Sequence, residues 1–188
     1  MRVRTILFVG KPGSGKETQA ELLATKIGFE VFSTGREFRK LKDQGTPLGT
    51  HVRETYEKGL LLPAWLASYL FESVILHKRD NEGVIFEGTG RRLPEAELFH
   101  EIATWLGRPY TVVNLDISDD EAVKRQVGRG RADSDTEEKV RVRLKEYDDH
   151  TAPVIEFFKR QNVLLNIPGE RTIEEMHADI VSKFGAEA

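Results

Sequence analysis

The chain has 188 residues, 39% of them apolar and 31% charged, which is enough apolar material to bury one core and excludes a disordered chain. A formal net charge of -3 excludes a global field that would draw it to nucleic acid or a membrane surface, so any basic site must be local. The absence of cysteine excludes disulfides and thiolate metal ligands.

The opening Met-Arg-Val-Arg has the charge of a signal peptide, but the apolar run after it, 5–9, is too short for one and reads as a first strand. That strand leads into Gly10-Lys11-Pro12-Gly13-Ser14-Gly15-Lys16-Glu17-Thr18. Next comes a helical pattern with Ala20, Leu22, Leu23 and Ile27 on one face and Gly28 as its stop. Further apolar runs at 29–32, 83–86, 111–117 and 163–167 predict strands. Helical spacing predicts helices at 63–78, 94–106, 119–127, 136–161 and 172–184. The glycine- and charge-rich piece 128–135 reads as a mobile loop or a plain surface connection. Strands this continuously apolar are buried on both faces, as in a parallel sheet, and their alternation with helices implies right-handed βαβ crossovers in a doubly wound α/β fold. There is no internal repeat, no linker and no stretch long enough to span a membrane. The expectation is one cytoplasmic domain over 1–188 that binds neither nucleic acid nor membrane.

The segment from Gly10 to Thr18 predicts a phosphate cradle. Glycines let the backbone curl so that successive N–H groups point at phosphate oxygens, the following helix adds its positive end, and Lys16 can reach the outer phosphates. Gly13, Ser14, Gly15, Lys16 and Thr18 are therefore candidate ATP-binding residues. Glu17 stands where a serine or threonine usually follows the lysine. Its charge suits a first helical turn but would repel bound phosphates unless the side chain turns to solvent.

These residues, and three further stretches in the same order, resemble adenylate kinase and its nucleoside monophosphate kinase relatives over nearly the whole chain. The stretches are Ser33-Thr34-Gly35 with Arg39, Phe86-Glu87-Gly88-Thr89-Gly90-Arg91, and Arg143-Leu144-Lys145-Glu146-Tyr147 with Thr151 and Pro153-Val154-Ile155. The resemblance implies a P-loop NTPase-type three-layer α/β fold: a five-stranded parallel sheet, a helical NMP-binding insert at about 33–62, and a short lid at about 128–136. It implies phosphoryl transfer from ATP to a nucleoside monophosphate, with Mg2+ carried by ATP, by a monomer whose partners are small-molecule nucleotides.

Such a transfer crowds negative charge at one point, so the protein must supply cations rather than a nucleophile, and arginine's planar fork suits phosphate. By resemblance, Arg39 and Arg91 hold the acceptor phosphate, Arg125 stacks on the ATP base, and Arg129, Arg131 and Arg143 grip the transferring phosphates, Arg131 and Arg143 also meeting the acceptor. Catalysis is then assigned to Lys16, Arg91, Arg129, Arg131 and Arg143. Thr34, Leu62 and Gly88 complete the acceptor site, and Arg171, in the loop at 167–171, joins the ATP site together with Glu17. Arg141 is equally well explained as a solvated helix residue. Each arginine taken singly also reads as a surface ion pair.

Three departures bear on the chemistry. The family has aspartates where this chain has Arg36 and Glu87; Glu87 keeps the charge, and with Thr18 it can meet Mg2+ through water, whereas Arg36 reverses it and has Glu87 or Glu37 as expected partners. Thr89-Gly90 replaces a Phe-Pro pair and loosens the turn. Glu95 falls where a glutamine reads the acceptor adenine. A carboxylate only accepts, which suits guanine better and leaves both AMP and GMP open as acceptors; the alternative is an acidic residue serving only the first turn of a helix. A nucleotide-binding module with weakened catalysis and a P-loop kinase of another small metabolite remain the competing readings.

Overall fold

The computed structural model describes residues 3–130 and 136–184. Five strands, β1 (Thr5–Gly10), β2 (Glu30–Ser33), β3 (Val84–Glu87), β4 (Tyr110–Asp116) and β5 (Leu164–Pro168), form one parallel sheet in the order β2-β3-β1-β4-β5. The apolar runs of the sequence mark all five. The helices are α1 (Lys16–Ile27), α2 (Thr34–Lys42), α3 (Pro47–Glu57), α4 (Ala64–Ile75), α5 (Leu93–Trp105), α6 (Asp119–Arg129), α7 (Glu137–Glu146), α8 (Ala152–Arg160) and α9 (Ile173–Phe184).

Because side chains alternate across a strand, β1 divides its residues between two cores. Leu7 and Val9 join Val84, Phe86 and Val112 in one core, roofed by Phe71 of α4, Phe99 of α5 and Phe158 of α8. Ile6 and Phe8 join Ile85, Val113 and Leu115 in the other, roofed by Ala20 and Leu23 of α1 and Ile180 of α9. These strand residues are buried to 4% exposure or less, which explains their near-continuous apolar runs. A third, small cluster of Val52, Leu62 and Leu66, with Phe38 and Leu41 against it, holds α2, α3 and the start of α4 together.

The order of the strands fixes where a ligand can sit. β1 is central, and the chain leaves it toward β2 and β3 on one side and β4 and β5 on the other. The crevice at the carboxyl end of β1 is therefore the switch point at which such sheets bind ligands. At the opposite end, buried Arg108 donates to Thr5 Oγ1 (2.6 Å) and to the carbonyls of Arg79 (3.1 Å) and Glu82, tying the entries of β1 and β3.

One predicted helix differs. Residues 136–161 continue helically, but α7 and α8 are separated by a π-helical turn, Tyr147–Thr151. Pro153 sits just inside α8. It lacks an N–H and its ring crowds the carbonyl four residues back, so the regular ladder opens there. Gly28 stops α1 as predicted, with a left-handed backbone (φ 71°) and its N–H on Ala24 O. Among the described residues, no helix is long and apolar enough to cross a membrane.

Candidate active site

A cleft of about 380 Å3 opens at the switch point, walled by the 10–18 loop, α2, the 88–92 turn, α6 and α7. The loop turns because its glycines take left-handed angles. At Gly10 (φ 132°) a Cβ would lie 2.4 Å from Leu115 O, so no other residue fits there. Ser14 is buried beneath the loop, while Gly13, Gly15, Lys16, Glu17 and Thr18 line the cleft. Lys16 Nζ folds back to donate to Lys11 O (2.6 Å) and Ser14 Oγ (3.2 Å). Burial pulls its ammonium down to about 8 and the Arg91 and Arg129 charges add to that, against Glu87 and Glu17. An anion placed here would relieve that strain on the charged form.

On the facing wall, Ser33 ends β2 and caps α2, accepting from Arg36 N (3.4 Å) while its hydroxyl donates to Glu87 Oε2 (2.7 Å). Thr34 lines the cleft and shares a hydroxyl hydrogen bond with buried Thr89 (2.8 Å). Thr151 of the π turn donates to Arg91 O (2.9 Å). Two hydroxyls thus tie the turn where the sequence predicts looseness. Arg39, Leu62, Gly88, Arg91 and Glu95 all line the same wall. Gly88 (φ 75°) brings its backbone close to Arg91, whose Nη2 would lie 2.9 Å from a Cβ there. For Arg39, burial works against the charge, but a hydrogen bond to Tyr56 and the carboxylates Glu17 and Glu87 outweigh it.

Glu95 is 2% exposed and its Oε2 accepts from Arg91 N (2.9 Å) from the first turn of α5. It therefore ties down the residue before the N-cap of α5 and lines the cleft at once. Burial pushes its carboxyl up to about 7, although the bond to Arg91 N and the charges of Arg91 and Arg92 oppose the shift.

The third wall carries Arg125, Arg129 and Arg143. Arg125 is paired to Glu121 one turn back (2.7 Å). Gln126, buried and unremarked in the sequence reading, accepts from Arg143 Nη1 (2.8 Å) and Arg129 Nη2 (3.4 Å). Its spacing from Arg129, one helical turn, was the available signal. Tyr56, Glu146 and Tyr147 also line the cleft without having been singled out as site residues. Glu146 accepts from Leu61 N (2.8 Å), so it joins α7 to the segment that ends near Leu62.

Three expectations change. Arg36 pairs with neither Glu87 nor Glu37; its Nε lies 3.3 Å from Glu17 Oε1 and its Nη2 bonds Glu21, so both carboxylates come from α1. Glu17 accordingly turns to Arg36 and Arg39 (3.4 Å), not simply to solvent. Arg171 stands outside the cleft lining, bound to Asp179 (2.7 Å) and to Pro168 O (3.2 Å). Arg141 pairs with Glu137 on an exposed face. Arg131 and most of the 128–136 stretch lie outside the described residues.

A family model for adenylate kinase matches residues 8–163, most of the chain and every wall of the cleft. The chain belongs to the adenylate kinase family. It is similar to the adenylate kinase of Corynebacterium glutamicum (strain R), with 34% identity covering 96% of this chain and 98% of that one. It is also similar to that of Porphyromonas gingivalis, 37% identical over 95% of this chain and 96% of the relative. The adenylate kinase of Mycolicibacterium smegmatis is 36% identical, over 96% and 98%. Such even coverage means that family membership extends to the α2–α3 segment and to α6 and α7 as well as to the phosphate loop.

Proposed function

We propose that the cleft carries out phosphoryl transfer from ATP to a nucleoside monophosphate, AMP being the acceptor, with the residues of its three walls in separate roles. The observation that carries this reading is the convergence of Lys16, Arg39, Arg91, Arg129 and Arg143 on one cleft at the carboxyl end of β1. A single-nucleotide module needs the first of these cations and not a ring of them.

The loop N–H groups and Lys16 receive the ATP phosphates, and Arg125 and Arg129 lie on the ATP side. Arg39 and Arg91 receive the acceptor phosphate, in an insert spanning about 33–62. An oxygen of that phosphate attacks the γ-phosphorus, the bond from the γ-phosphorus to its bridging oxygen breaks, and ADP leaves. Arg143 and Arg129, fixed by Gln126, stand where charge grows on the transferring group. Mg2+ brought by ATP adds charge neutralisation, and Thr18 and Glu87, which both line the cleft, are the residues suited to hold its waters. A lid at about 128–136 would exclude water from the reacting groups. Glu95 faces the acceptor base, and as a carboxylate it favours GMP, whose ring N–H and amino group both donate. The pairing of Glu17 with Arg36 and Arg39 keeps its charge matched, which removes the main reason to read the departures as weakened catalysis.

The test is NDP formation with Mg-ATP and AMP, GMP, CMP or UMP in turn, with Lys16→Ala as control. Turnover with at least AMP, lost in the variant, is expected. Binding of ATP without turnover of any acceptor would overturn the assignment.

A further inference from the structure

Glu95 is a carboxyl group held in one place by the backbone and sunk in the wall of the cleft. Its Oε2 accepts from Arg91 N, and that bond is available whether or not the group is ionised, since a carbonyl oxygen accepts as a carboxylate oxygen does. The backbone of Arg92 also hydrogen-bonds the carboxyl, and the edge that lines the cleft is the one a ligand would meet. What it offers depends on a proton. The neutral acid presents one donor and one acceptor, the pattern of a primary amide, while the carboxylate presents two acceptors. On the acceptor side of the chemistry, a 6-aminopurine has a ring nitrogen that accepts beside an amino group that donates. A 6-oxopurine such as guanine has a ring N–H and a 2-amino group that both donate. The two forms of one side chain thus complement two different bases.

We infer that Glu95 reads the acceptor base in two states, selecting a 6-aminopurine as the acid and a 2-amino-6-oxopurine as the carboxylate, so that the preferred acceptor follows the pH. This rests on the assignment above of the α5 wall to the acceptor base. The proton is in play near neutrality because burial pushes the carboxyl up to about 7. Arg91 and Arg92, on the segment entering α5, favour the carboxylate but do not outweigh burial. The cleft that Glu95 lines is also lined by Arg39 of α2, Glu87 of β3, Arg143 and Glu146 of α7, and Tyr147 of the π turn. Along its buried length α5 meets apolar Phe71 of α4 and Phe158 of α8, which carry no charge to offset the desolvation. The shift therefore has its source in the fold around residue 95 and not in one removable partner.

The experiment measures kcat/KM for AMP and for GMP between about pH 6 and pH 8, since that parameter reports the ionisation of the free enzyme. Both substrates carry the same 5′-phosphate, so its titration cancels in their ratio. The expected AMP-to-GMP ratio falls about tenfold per pH unit, because one substrate follows the acid and the other the carboxylate. Glu95→Gln keeps the acceptor for Arg91 N and locks the amide pattern, so its ratio should favour AMP and stay flat. A flat ratio in wild type, with the variant shifted toward AMP, would overturn the two-state reading while leaving Glu95 as the base reader. An unchanged preference in the variant would overturn the base assignment itself. Should the variant not fold, the wild-type ratio alone still decides the two-state reading.

Discussion

The ion pair of Glu17 and Arg36 gives a quantitative test of how the acceptor is bound. Glu17 Oε1 is 3.4 Å from Arg39 and 3.3 Å from Arg36, and all three side chains are about one-third exposed, so a water-like dielectric is the right one. A phosphate gripped by Arg39 at ordinary charge-assisted distance would lie about 6 Å from the Glu17 carboxylate. Repulsion between a doubly charged phosphate and that carboxylate is then about 1.4 kcal/mol, a tenfold loss of affinity, if nothing offsets it. Arg36 offsets it. Removing Arg36 alone (Arg36→Ala) should raise the KM for the acceptor about tenfold at low ionic strength, with a smaller effect on kcat and on the KM for ATP. Removing both charges (Glu17→Gly with Arg36→Ala) should return the acceptor KM to near the wild-type value. The assay is NDP formation at saturating Mg-ATP with the acceptor varied, repeated in added salt, which should shrink the Arg36→Ala penalty. If the double variant is as impaired as Arg36→Ala, Arg36 acts by touching the phosphate itself and the argument from compensation is wrong.

Three further outcomes follow from burial and ionisation. Lys16, its ammonium lowered to about 8, should react with an amine-acylating reagent near that pH faster than the exposed lysines, and ATP should protect it; peptide mapping by mass spectrometry checks this. Glu95 is a carboxyl whose value rises on folding from 4.5 to about 7, so the native state keeps a proton that the unfolded chain gives up. Its stabilising effect is whole below pH 4.5 and is lost as the pH rises to about 7, up to roughly 3 kcal/mol; urea titrations should show that pH slope flattened in Glu95→Gln. Phe99 is fully buried against Phe71, Phe86 and Tyr110, with ring centroids at 5.4–5.6 Å, so Phe99→Ala should cost about 3–5 kcal/mol of unfolding free energy in the same assay.

What the sequence made legible and what it hid divide along the reach of the interactions. The central strands were legible because β1, β3 and most of β4 are buried on both faces, so Leu7 and Phe8 are apolar for independent reasons, one for each core. The phosphate loop was legible because its chemistry is local: Gly10 must be glycine to pass Leu115 O, and Lys16 closes on atoms within five residues. Helices α2 and α3 are marked locally only at their starts, by the capping hydroxyls of Ser33 and Thr46. Helix α2, rich in lysine and arginine, leans only Phe38 and Leu41 on a satellite cluster, so its stability depends on neighbours that the sequence does not put beside it. The π turn is an intermediate case: Pro153 announces an interruption, but whether a helix ends or bulges there depends on what α8 packs against. The site residues missed or mispaired are those whose partners are distant. Gln126 meets Arg143 across 17 residues and Glu17 meets Arg36 across 19, each as a side chain whose purpose appears only when two helices are side by side. Read singly, Glu17 and Arg36 were each a mark against catalysis. Side by side they neutralise one another, and two residues that look like decay in one dimension are an ion pair in three.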